Sequence, residues 1–268
     1  MPHIQAGDIQ IYYEIAGSGQ KLLFINGTGA DLRFRPNAFD GPLGKNFQVL
    51  GYDQRGLGRT QKPDRPYSMQ EYADDAAALM ERLGWECAHV MGVSFGGMVA
   101  QHLALRHPEK VGRLVLACTS AGGTGGASWP LHELHGMDVE ARARFMIGIS
   151  DTRHDAAWQA SHAEAFAAMI AQQVASAAIG ADDPAKPMGA RRQLEAREHH
   201  DTFLRLGEIA SPTLLCAGKY DGIAPLENMQ MMQQKIPNSR LEIFEGGHLF
   251  LIQDKRAYAE IVRFFQEG

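Results

Sequence analysis

The chain has 268 residues, 45% of them hydrophobic, and a formal charge of −5. That length and apolar content suit one large α/β domain, with or without an insertion, and no block of like charge offers a footprint for nucleic acid or an anionic membrane. No stretch approaches the ~18 consecutive apolar residues of a membrane span, and the first residues carry no basic and apolar leader pattern, so the expectation is a cytoplasmic protein whose partner is a small molecule.

In chain order, Ile9 to Glu14 alternates like a strand, and after the turn Gly17-Ser18-Gly19 the apolar run Lys21 to Ile25 reads as its hairpin partner. Short runs that are apolar almost throughout follow at Phe47–Tyr52, Ala88–Val93, Arg113–Cys118, Pro212–Ala217 and Arg240–Phe244. Such runs suit strands buried on both faces of a mostly parallel sheet. Helical stretches separate them at Ser68–Leu83, Gly96–His107, Leu226–Lys235 and Asp254–Gln266. Strand and helix alternating over this length predict a doubly wound α/β fold with helices flanking the sheet. From Gly122 to Leu206 no strand pattern occurs, and Ala, Met, Arg, His and Glu recur at helical spacing. The expected organisation is a core domain of residues 1–121 and 207–268 with a helical cap, residues 122–206, inserted in it. Cys87, Cys118 and Cys216 each lie in or beside an apolar run, which predicts buried structural thiols.

Gly92-Val93-Ser94-Phe95-Gly96 lies between a strand run and a helix, the setting of a G-x-S-x-G nucleophile elbow. The tight turn needs small residues two places either side of the serine and presents its hydroxyl above the sheet. A serine nucleophile needs a base, and the base needs an orienting acid. Asp221 follows the strand run ending at Ala217, and His248 follows Phe244-Glu245-Gly246-Gly247. The order Ser94, Asp221, His248, with each at the carboxyl end of a strand, predicts a catalytic triad. The amide of Phe95 is the expected first oxyanion donor; the second is expected from Asn26-Gly27-Thr28-Gly29-Ala30-Asp31, with Thr28 as the choice and Gly29 the fallback. Asp53 and Arg55, in Asp53-Gln54-Arg55-Gly56-Leu57-Gly58, read as a loop that supports the oxyanion loop rather than as catalytic groups. His132, His135, His154, His162, His199 and His200 all fall in the inserted segment without the accompanying ligand pattern of a zinc site, so no metal is expected, and no cofactor either.

With these residues in place the chain resembles the α/β-hydrolase superfamily. The likeness is carried by Gly92-Val-Ser94-Phe-Gly96-Gly97, Asp53-Gln-Arg55-Gly56-Leu-Gly58, Gly218-Lys-Tyr-Asp221 and Gly246-Gly247-His248. Within it the chain looks most like the group around 3-oxoadipate enol-lactonases and carboxylesterases, because Asn26-Gly-Thr-Gly-Ala-Asp31 stands where most members carry His-Gly. The resemblance implies hydrolysis of a small-molecule ester, lactone or thioester through an acyl-enzyme on Ser94. Ser94 sets the chain apart from the epoxide hydrolases and haloalkane dehalogenases it also resembles, which use an aspartate there.

Substrate choice is expected to lie in the cap, where Trp129, Phe145, Met146, Trp158, Phe166 and Met169 are candidates for an apolar pocket and Arg142, Arg144, Arg191 and Arg192 for binding a substrate carboxylate. Three rival functions fit the same residues: carbon–carbon bond hydrolysis of a ring-cleavage diketone, ligand binding with vestigial hydrolysis, and cofactor-free perhydrolase chemistry. A homodimer is compatible with the sequence.

Overall fold

The computed structural model describes residues 2–134 and 136–267, which leaves His135 outside the account. Its centre is an eight-stranded sheet: β1 (His3–Ala6), β2 (Ile9–Ala16), β3 (Lys21–Ile25), β4 (Gln48–Tyr52), β5 (Ala88–Val93), β6 (Val111–Ala117), β7 (Thr213–Gly218) and β8 (Ser239–Phe244). The spatial order is β1-β2-β4-β3-β5-β6-β7-β8. β1 and β2 pair antiparallel, as do β2 and β4, and every later pairing is parallel.

The expected hairpin between Ile9–Glu14 and Lys21–Ile25 does not form. β2 pairs instead with β1 and β4, and β4 separates it from β3. The burial patterns give the reason: β3 is covered on both faces and takes an interior place between two parallel neighbours, whereas β2 has exposed positions and sits toward the edge.

Period-two alternation splits each inner strand between two cores. Leu23, Ile25, Val90, Leu114, Leu116, Leu215 and Ala217 face one layer, where α2 (Met69–Arg82), α3 (Phe95–Arg106) and α8 (Leu226–Lys235) pack. Leu22, Phe24, Met91, Val115, Leu214 and Cys216 face the other, covered by α1 (Pro42–Asn46), α9 (Phe250–Gln253) and α10 (Arg256–Gln266). α2 starts on a capping box, in which the Ser68 hydroxyl accepts from the Glu71 amide and the Glu71 carboxylate accepts from the Ser68 amide. The short α1 and α9 carry too few residues for a periodic signal and were not expected from the sequence. Cys118 and Cys216 are buried, but Cys87 is exposed, because it precedes β5 on the turn that leaves α2.

Between β6 and β7 the described chain adds no strand to the sheet. It forms α4 (Val139–Ser150), α5 (Ala156–Ser161), α6 (Ala163–Ala178) and α7 (Lys186–Glu198), with short 3-10 turns. α4 and α6 bury Ala143, Ile147, Phe166 and Ile170 against each other, with Trp158 and Met169 alongside. A second cluster joins Leu131, Leu134 and Leu194 to Trp129, Met146 and Ile149. The insert leaves and rejoins the sheet domain at one place, where Gly122 bridges Asp201 and the Thr202 amide donates to the Ala121 carbonyl at 2.8 Å. Among the described residues no helix is long and apolar enough to cross a membrane.

Candidate active site

Ser94 sits between the last residue of β5 and the first of α3, at φ 54° and ψ −117°. A non-glycine residue rarely occupies this region, and the strain is tolerated because its surroundings fix it. The Ser94 amide donates to the Ala117 carbonyl at 2.8 Å, and the Ser94 carbonyl accepts from Gly97 and Met98 and from the Thr119 hydroxyl. The turn also needs its glycines: a Cβ on Gly92 would overlap the Gly96 carbonyl, and one on Gly96 the Ile25 carbonyl.

The loop after β7 carries Asp221. Its Oδ1 accepts from the Ile223 and Ala224 amides at 2.8 and 2.9 Å, which fixes the carboxylate, and its Oδ2 lies 2.8 Å from His248 Nδ1. His248 Nε2 lies 3.0 Å from Ser94 Oγ. A carboxylate only accepts, so Nδ1 carries the proton and Nε2 is left to accept from the serine hydroxyl. Three side chains distant in sequence thus form one hydrogen-bonded line from a buried carboxylate to a hydroxyl. The Cys118 sulfur is a close neighbour of Asp221 and His248; burial, with the Asp221 charge, pushes its thiol well up from its usual range, so it packs as a neutral group.

A Cβ on Gly27 would meet Ser94 Cβ and the Val93 carbonyl at 3.5 Å, which places the loop after β3 beside Ser94. The amides of Phe95 and Thr28 have no protein acceptor among the described residues. Gly29, the alternative donor, is engaged: its amide donates to Gln193 Oε1 at 2.8 Å. The loop is supported from behind, because Asp53 accepts from the Leu32 amide at 2.7 Å and the Arg59 amide at 2.8 Å, and Gln54 donates to the Asn26 carbonyl at 2.8 Å. Arg55 turns away to pair with Asp75 and Asp8.

The insert touches the loops that carry the candidate site. The carbonyls ending α4 have no partner in their own helix and are used here: Ile149 accepts from Gly222, and Ser150 from the His248 amide at 2.6 Å. The turn before α7 is held by the Lys62–Asp183 pair at 2.8 Å and α7 itself by the Arg192–Asp64 pair at 3.0 Å, and Gly189 of α7 lies so close to Gly56 that a Cβ would overlap the Gly56 carbonyl.

The arginines singled out from the sequence lie elsewhere. Arg142, Arg144 and Arg191 are exposed, Arg144 pairs with Glu140, and Arg191 and Arg192 pair with Glu195. Trp158, Phe166 and Met169 belong to the insert's own core, while Trp129 and Met146 belong to the cluster nearer the site. His162 stacks on Trp158 and the His154 ring lies tilted against it, and His200 meets His102 of α3 at 3.2 Å in a buried pair. Gln193, fully buried and hydrogen-bonded to the loop after β3, belongs to the candidate site and was missed by sequence reading. A glutamine in a polar helical stretch carries no signal of its direction.

Comparison with known proteins agrees with this architecture. The chain is 32% identical to a poly(3-hydroxyalkanoate) depolymerase of Ectopseudomonas oleovorans over 92% of its own length and 84% of that protein's. It is 29% identical to a 2-hydroxymuconate semialdehyde hydrolase of Pseudomonas putida, over 93% and 88%. Among solved structures it superposes on the enol-lactonase from Burkholderia xenovorans LB400 with a TM-score of 0.78 at 24% identity, covering 98% of this chain and 99% of that one. A family model described as alpha/beta hydrolase fold matches residues 21–255, and the chain belongs to that family of hydrolases.

Proposed function

We propose that this chain is a serine hydrolase that cleaves a carboxylic ester or lactone of a small molecule through an acyl-enzyme on Ser94. The observation that carries the reading is the hydrogen-bonded line Asp221–His248–Ser94 beside two unengaged amides. In the proposed reaction Ser94 Oγ attacks the ester carbonyl while His248 Nε2 takes its proton. The Phe95 and Thr28 amides hold the oxyanion, and the imidazolium then returns the proton to the departing alcohol. Water, deprotonated by the same imidazole, attacks the acyl-enzyme, releases the acid and restores Ser94. Asp221 stays ionised throughout and keeps the imidazole in the tautomer with its proton on Nδ1. The insert acts in this reading as a cap: α4 fixes the histidine and acid loops, and α7 fixes the oxyanion loop.

A panel of p-nitrophenyl esters and lactones, with a fluorophosphonate label, tests the proposal. The expected result is labelling at Ser94 and a loss of roughly six orders of magnitude in turnover for Ser94→Ala. Unlabelled Ser94, or undiminished ester cleavage by the variant, refutes it. Carbon–carbon bond hydrolysis is the second reading, favoured by the relative from Pseudomonas putida. Faster turnover of a ring-cleavage diketone than of any ester would select it.

A further inference from the structure

The sheet ends at two edges. β1 forms one of them with only four residues, none carrying a fixed charge. β8 forms the other with six, Ser239-Arg240-Leu241-Glu242-Ile243-Phe244. The hydrogen bonds to β7 decide which backbone groups of β8 remain free. The two strands run parallel, and the Thr213 amide donates to the Asn238 carbonyl and the Lys219 amide to the Phe244 carbonyl. Even-numbered residues of β8 therefore turn their backbone groups to β7, while Ser239, Leu241 and Ile243 turn theirs outward. No group among the described residues pairs with the outward amides and carbonyls of Leu241 and Ile243, and the Ile243 side chain is 42% exposed.

An edge with free backbone groups is a template for another strand, and the side chains say which strand fits. An antiparallel strand must set outward residues against outward residues. For two copies of β8 the two-fold axis then passes through a residue, never between two. Centred on Arg240, the pairing sets arginine against arginine; centred on Glu242, it sets glutamate against glutamate. Centred on Leu241, it sets Arg240 of each copy against Glu242 of the other, Leu241 against Leu241 and Ile243 against Ser239. Directly opposed unlike charges stabilise a strand pair, and like charges destabilise it. Glu242 is half-buried and has no ion-pair partner among the described residues, so it is free to meet a second copy, while Arg240 reaches Glu267 of its own chain at 2.8 Å. Both charged residues stand on the α10 side, where Arg240 lies over the Phe264 ring, and Leu241 packs on the opposite face with the core that α8 covers.

We propose that two copies of this chain pair through β8, antiparallel and centred on Leu241, and so join their sheets into one. The occupant of the edge is a second copy because the register that satisfies the backbone also opposes each charge to its opposite, as a two-fold interface requires. The carboxyl ends of the two sheets then point in opposite directions, so neither candidate site covers the other. A six-residue strand is a small contact, and a dissociation constant in the micromolar range is expected.

Sedimentation velocity from low micromolar to several hundred micromolar protein tests the proposal, with far-ultraviolet circular dichroism to verify folding. The native chain is expected to pass from monomer to dimer across that range. Glu242→Arg opposes arginine to arginine twice across the axis and should weaken the dimer by roughly 30-fold. Adding Arg240→Glu exchanges the two charges and should restore the dimer to within roughly threefold of native. Ile243→Pro removes an outward N–H, a change that an edge strand tolerates, and should leave only monomer. A native chain that stays monomeric overturns the proposal. A dimer that Glu242→Arg leaves intact, that the charge exchange fails to restore, or that survives in folded Ile243→Pro overturns it as well, since each places the contact elsewhere. If Ile243→Pro does not fold, the native protein and the charge variants decide the matter.

Discussion

The floor and the roof of the site are built by different means. At the floor, Ser94, Asp221 and His248 each follow a strand of the parallel sheet, on turns that glycine and short backbone hydrogen bonds hold rigid. At the roof, Gln193 and Arg197 stand within one helix, and their direction depends on which face of α7 packs downward. The floor is local chain geometry, so its residues travel with recognisable neighbours; the roof is a product of packing. A change at the floor should therefore stop the chemistry, whereas a change at the roof should alter rate, preference or the hold of the insert.

The largest contrast is expected from Asp221→Asn. The amide would donate where the carboxylate accepts and so favour the wrong imidazole tautomer, lowering kcat by about 10^4-fold in steady-state ester assays. A loss below tenfold would break the proposed division of roles.

Next comes acid stability at the seam between the two regions. Burial lowers the pKa of both His102 and His200, so each is neutral when folded, while the unfolded chain takes up protons below about pH 6.5. Their contribution is fully present above that pH and is lost as pH falls toward the lower folded values, at up to about 1.4 kcal/mol per pH unit for each imidazole. Urea titrations at pH 7 and pH 5 should show the native protein losing more stability than a variant carrying His102→Gln and His200→Gln. Equal losses would remove the pair as the cause.

Gln193→Met keeps the side-chain volume but removes the acceptor for Gly29. With the oxyanion loop less well fixed, kcat is expected to fall by about 10- to 100-fold with KM changed less than threefold. A thionoester, whose sulfur is a poorer acceptor, should lose less than its oxygen counterpart. If oxygen and sulfur esters fall equally, Gln193 does not act through the oxyanion loop. The smallest effect belongs to Arg144→Ala on the outer face of α4, where an exposed pair with Glu140 contributes little, and thermal or urea unfolding should shift by less than about 0.5 kcal/mol.

The same difference in construction explains what could be read from sequence. The inner strands and the helices α2, α3, α8 and α10 announce themselves through apolar runs, periodicity and the Ser68–Glu71 cap, and Ser94, Asp221 and His248 through their places after strands. The pairing of β2 was misread because proximity in sequence favoured a hairpin to β3, whereas burial on both faces drew β4 between them. The insert's arginines show the harder limit. Arg191, Arg192 and Arg197 stand close together on one helix with similar surroundings in sequence, yet only Arg197 is turned inward, a direction set by the Ser128 and Trp129 contacts. Nothing local marks the inward one, because α7 has no sharply apolar face to fix its rotation.

The junction of Gly122 with Asp201 has a consequence for how such a protein diversifies. Two ends held side by side impose no length on what hangs between them, and lengthening a closed loop adds only slowly to its entropic cost. Helices can be added, shortened or exchanged there while the strands keep their partners, so new specificities can be tried on an unchanged chemical base. Grafting another family member's segment between Gly122 and Asp201 should transfer the donor's substrate preference, provided that the graft brings its own counterparts of the α4 carbonyls and of Gln193.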